Sequence, residues 1–239
     1  MKLPFPRNVH FCAREGILEE IQKIFWPNHH FQEDQSHPLG RKTITLQGAG
    51  GTGKTQVLLE HMYRFHAYKG YSSIFWLNAD CVAGLEASAY GILESIISHY
   101  DAMWRGATDC DQWIAHSLKI FEPPITTRAA LMEAVNKSSS VKILRDWLSH
   151  ESNSRWLLIL DNYSPDVDLC TILPATDVGH VLTSTRNYNT YPGSHSITML
   201  DSIGEAESVD LLIRSSGKGL KVSRNGSYLR NPLYSSHNC

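Results

Sequence analysis

Residues 48–55, Gly48-Ala49-Gly50-Gly51-Thr52-Gly53-Lys54-Thr55, fit the pattern G-x-x-x-x-G-K-[ST] of a phosphate-binding loop. Gly48 and Gly53 leave room for the backbone to curl round a phosphate. The N–H groups of Gly50, Gly51, Thr52 and their neighbours then form an anion cradle. Lys54 reaches the β- and γ-phosphates, and the Thr55 hydroxyl suits Mg²⁺. Gln56 follows in the first turn of the helix behind the loop, whose positive dipole end adds to the cradle. Two more residues extend this chemistry. Asp161 closes the apolar run Trp156-Leu157-Leu158-Ile159-Leu160, and beside a phosphate loop such a carboxylate reads as a Mg²⁺ ligand, direct or through water. Arg186 closes His180-Val181-Leu182-Thr183-Ser184-Thr185 and is a candidate sensor of a γ-phosphate.

Such residues need strands that end together. The β-branched stretch at 42–47 predicts a strand into the loop, and Val57, Leu58, His61, Met62 and Phe65 at helical spacing predict a helix after it. Residues 71–78 and 156–161 read as short buried strands of a parallel sheet, as do 180–186 and 196–200. Helical patterns cover 17–25, 83–99 and 205–213. A further one covers 126–150, where Ser138-Ser139-Ser140 can split it in two. Trp76 reads as core. At the carboxyl ends of parallel strands, where ligands bind, Arg186 and Asp161 fall near the loop. Residues 1–41 form an entry segment with a short helix, 42–217 the main α/β domain, and 218–239 an irregular tail without a strand or helix period. Residues 100–126 carry no readable chemistry: Asp101, Asp109 and Asp111 lack calcium-loop spacing. His29-His30, with no third ligand nearby, reads as loop.

The whole chain sets limits. Its 239 residues, 42% hydrophobic, are enough for one α/β domain with a small extension. A net charge of −2 offers no global basic field for nucleic acid or anionic membrane. No apolar run approaches the ~18–20 residues of a membrane span, and the N-terminus lacks the apolar core of a signal peptide. Five scattered cysteines without a C-x-x-C pair suggest neither a zinc site nor a disulfide scaffold, so a reducing cytoplasm is expected.

In this order the parts resemble the NB-ARC nucleotide-binding domain of STAND P-loop NTPases, the switch module of NOD-like receptors, in the form found in filamentous fungi. Phe11-Cys12-Ala13-Arg14-Glu15 is similar to the family's entry motif, with Ala13 where Gly is usual. Ile74-Phe75-Trp76-Leu77-Asn78-Ala79 resembles its second strand, and Leu157-Leu158-Ile159-Leu160-Asp161-Asn162 its Walker B strand. Thr183-Ser184-Thr185-Arg186 resembles the sensor motif, and Met199-Leu200 with Glu205-Ala206 the closing strand and helix. The resemblance implies a three-layer fold around a mainly parallel five-stranded sheet, with the sensor strand between the phosphate-loop and Walker B strands. It implies ADP or ATP with Mg²⁺ as ligands, an adenine lined by Val9 and Arg14, and other domains or further copies of the receptor as partners. Taken alone, Arg14 and Glu15 also suit a solvated pair.

Three departures qualify the expected activity. Asn162 stands where a fast ATPase has an acidic residue to activate water. The span from Thr55 to Asp161 is long. The helical and winged-helix parts that would close over the adenine are not found in 218–239, which reads as a truncation and implies fast nucleotide exchange. A nucleotide switch with slow or no hydrolysis is therefore the leading expectation. A catalytic P-loop ATPase or kinase, and a non-functional fragment, are the alternatives.

Overall fold

The computed structural model describes residues 5–12, 14–27, 40–67, 71–104, 109–121, 125–188, 193–199, 205–215, 220–222 and 228–230. His29-His30 lies outside them, as does Ala13 of the entry motif. Five parallel strands form the centre: β1 (Lys42–Gln47), β2 (Ser73–Asn78), β3 (Trp156–Tyr163), β4 (His180–Thr185) and β5 (His195–Thr198), in the order β2-β3-β4-β1-β5. This is an α/β architecture with a mainly parallel five-stranded sheet, as the motifs led one to expect. The β4 strand does lie between β1 and β3.

Side-chain alternation explains the layers. Leu157 and Ile159 of β3 face one way, with Ile44 and Leu46 of β1 and Leu182 of β4. Against them pack α1 (Glu15–Phe25), through Leu18, Ile21 and Phe25, and α2 (Lys54–Ala67), through Val57, Leu58 and Met62. Leu158 and Leu160 face the other way with Leu77 and Val181. They meet α3 (Val82–Met103), α4 (Cys110–Ser117), α5 (Arg128–Lys137) and α6 (Ser140–Leu148). Trp76 is partly buried against the first of these clusters, as core rather than platform.

The helical pattern at 126–150 splits into α5 and α6. Ser139 caps α6 with its own hydroxyl, and Glu86 of α3 adds a second cap, accepting the backbone N–H of Ser140 at 2.8 Å and of Val141 at 3.2 Å. The α4 helix, absent from the sequence reading, is tied to α3 and α5 by Arg128, which binds Asp111 and Asp101 at 2.7 Å each. Those two aspartates are ion-pair partners of Arg128.

The entry segment does not stand apart. Arg7 makes two hydrogen bonds to the buried Glu60 of α2, at 3.0 and 2.7 Å, and Arg64 joins Glu60 to Glu15. After α7 (Glu205–Ser215), the stretch read as irregular contains β6 (Leu220–Val222) and β7 (Tyr228–Arg230), paired antiparallel. That expectation is corrected here. Asn225-Gly226 between them in sequence is a strong hairpin signal that the period-based reading passed over.

Candidate functional site

The parallel sheet brings the carboxyl ends of β1, β3 and β4 together, and the sequence-predicted residues meet there. Gly51 and Gly53 hold left-handed φ angles of 82° and 88° with open space where a side chain would begin. Any other residue would be strained in this curl. Gly48 is needed for a different reason: a Cβ there would stand 2.5 Å from the Met199 carbonyl oxygen, where the chain leaves β5. Its role is close packing of two backbones as much as room for a ligand.

Lys54 opens α2 and is buried. Its ammonium donates to the carbonyls of Gly48 and Ala49 at 2.7 Å each and reaches the Thr52 hydroxyl at 3.3 Å. Burial pulls its pKa below the ordinary lysine value, Arg186 pulls it further down, and Asp161 partly offsets both. An anion in the loop would reverse that balance. Arg186 is exposed, and its guanidinium carbon lies 3.6 Å from where a Cβ on Gly50 would be, so it lies against the loop.

Thr55 and Asp161 are in direct contact. The Thr55 hydroxyl lies 3.0 Å from Oδ1 and 3.2 Å from Oδ2 of the buried Asp161. One hydroxyl and one carboxylate beside a phosphate cradle suit Mg²⁺, which takes one or two carboxylates and completes its shell with phosphate oxygens and water. Among the described residues no group of three His, Cys, Asp or Glu gathers to hold a metal without such help.

Of the remaining candidates, Arg14 touches the loop and Gln56 lies in the first turn of the helix behind it, while Val9 makes no hydrogen bond with the loop among the described residues. The Arg14 guanidinium donates to the Thr52 carbonyl at 3.3 Å, which places it against the phosphate loop. Val9 is 84% exposed in the entry segment. Gln56 accepts a hydrogen bond from Asn8 at 3.0 Å, which links that segment to the start of α2. Sequence reasoning assigned no role to Asn8, Glu60 or Ser184. Ser184 was the most legible of these, because it sits in the hydroxyl-rich run two residues before Arg186.

No protein-family model matches the chain. Across 91% of its length it is 26% identical to a nucleotide-binding leucine-rich repeat (NLR)-like protein of Hyaloscypha variabilis, of which it spans 20%. The name of that relative agrees with the resemblance read from the motifs, and the chain spans about a fifth of that relative's length. Among solved structures, Cdc6p of Pyrobaculum aerophilum is similar at a TM-score of 0.45 and 15% identity, over 82% of this chain and 48% of that one.

Proposed function

We propose that this chain is an ADP/ATP-binding switch module of a STAND-type signalling protein, with slow or no hydrolysis. The observation that carries the reading is the convergence of Lys54, Thr55, Asp161 and Arg186 at one end of the sheet, around a glycine loop with left-handed turns. Gly50, Gly51, Thr52, Gly53 and Lys54 would hold the phosphates, and Thr55 and Asp161 would hold Mg²⁺. Bound Mg²⁺ would neutralise phosphate charge. Arg186 would distinguish ATP from ADP, since only the longer nucleotide extends a γ-phosphate toward it. Val9, Arg14 and Gln56 would border the base and sugar. The similarity to an NLR-like protein supports a role in signalling or defence, with other domains or further copies of the receptor as partners.

A switch needs two states that bind its two ligands with different affinity. Slow hydrolysis suits that role, and Asn162 supports it, because an amide cannot take a proton from water as a carboxylate does. Turnover well below ~10 s⁻¹, the typical enzyme median, is expected in a multiple-turnover assay. The binding test is calorimetry of ADP and ATP with Mg²⁺. Lys54→Ala should weaken both by ~1.5–3 kcal/mol or more, the worth of a hydrogen bond to a charged group. Equal affinities in variant and wild type would sink the assignment.

A further inference from the structure

The β3–β4 pairing slips where Asp161 stands. Leu160 pairs with Thr183 and Tyr163 with Thr185, so Asp161 and Asn162 together face Ser184. This is a bulge, a device that re-aims side chains and breaks regular pairing. Asn162 takes the left-handed turn it requires, with φ of 60°, which asparagine tolerates better than most residues.

The bulge concentrates hydrogen bonds on one carboxylate oxygen. Ser184, 1% exposed, donates its hydroxyl to Asp161 Oδ1 at 2.5 Å. The Asn162 backbone N–H donates to the same Oδ1 at 3.1 Å and to Ser184 Oγ at 2.9 Å. Thr55 is also nearer to Oδ1, at 3.0 Å, than to Oδ2, at 3.2 Å. Oδ1 is therefore anchored by the serine and the backbone, while among the described residues Oδ2 carries only the longer Thr55 contact.

We propose that Ser184 is a positioning residue of the metal site: it fixes Oδ1 and turns Oδ2 of Asp161 toward Mg²⁺. The proposal rests on the nucleotide-binding reading above. Such outer contacts set ligand orientation and commonly tune metal affinity about 10–100-fold. Ser184 lies near the end of β4, two residues before Arg186, so the residue that orients the metal ligand is close in sequence to the proposed γ-phosphate sensor.

The experiment is calorimetry of ADP binding, first in EDTA and then at stepped MgCl₂, for wild type, Ser184→Ala and Ser184→Thr. Ser184→Ala should raise the Mg²⁺ concentration giving half the metal effect about 10–100-fold and leave the affinity in EDTA unchanged. Ser184→Thr, which keeps the hydroxyl, should restore the wild-type midpoint. An unchanged midpoint in Ser184→Ala overturns the proposal, and so does an equal loss with and without Mg²⁺, which marks a fold defect. A wild type that responds to Mg²⁺ beside an unshifted variant removes the positioning role alone. A wild type that binds no ADP overturns the nucleotide reading as well. If Ser184→Ala does not fold, Ser184→Cys, similar in size but a weak donor, gives the same readout.

Discussion

At the scale of single residues, Lys54 and Arg186 place two cations against one glycine loop, and burial lowers the Lys54 pKa. The loop is thus electrostatically prepared for an anion, which would relieve the repulsion between the two cations. The two should differ in what they read. Lys54 lies inside the loop, where it would serve any nucleotide phosphate. Arg186 reaches it from β4, so Arg186→Ala should weaken ATP binding by ~1.5–3 kcal/mol, as for a charge-assisted hydrogen bond, and leave ADP nearly unchanged. Paired titrations with the two nucleotides check this. A matched loss for both would make Arg186 part of the scaffold.

At the scale of elements, the start of β4 packs closely on the start of β3. Gly179 enters β4 with φ of 79°, and a Cβ there would stand 2.4 Å from the ring of the buried Trp156 at the start of β3. A rigid indole cannot yield as a flexible side chain can. Gly179→Ala should cost roughly 2–5 kcal/mol, from overpacking plus the left-handed penalty of a side chain. Urea unfolding checks this as a lower midpoint with an unchanged slope. Removing the Glu86 carboxylate from the N-terminus of α6 should cost less, about 1 kcal/mol, since the Ser139 cap remains. A thermal melt of Glu86→Ala reads it.

At the scale of the whole molecule, two histidines join α1, α2 and the sheet in one apolar region. His180 stacks on Phe25 at 4.3 Å and shares a hydrogen bond with Tyr71 at 2.8 Å, and His61 meets Phe25 edge-on. Burial first, with His180 and Arg64 adding to it, pushes His61 down to about 3. Burial, then Lys42, does the same to His180. Both are neutral in the fold. The unfolded chain takes up these protons below about pH 6.5, so it binds more protons than the native state between there and about pH 3. Their contribution is complete above the upper limit and is lost as pH falls through that window, with a slope of ~1.4 kcal/mol per pH unit for each histidine. Melting temperatures between pH 7 and pH 5 should fall accordingly, and His61→Phe should flatten the fall. Among the described residues no helix is long and apolar enough to cross a membrane.

The parts of this protein that depend on neighbours in sequence were legible from sequence. The loop at 48–55 is one turn between a strand and a helix, so its glycines, Lys54 and Thr55 declare themselves by spacing. Leu157 to Leu160 declare a strand buried on both faces because no polar residue interrupts them. Placing β4 between β1 and β3 needed more: only the resemblance to a known domain suggested it, since strand order depends on pairings across more than a hundred residues. The entry segment docks on α2 through Arg7, Glu60, Arg64 and Glu15, charges that in sequence look like ordinary surface residues. The slip at Asp161 and Asn162 was invisible for the same reason, because a bulge exists only relative to its partner strand. Sequence alone determined which groups could hold a nucleotide phosphate, while tertiary pairing decided which serine and which backbone N–H hold Asp161 in place.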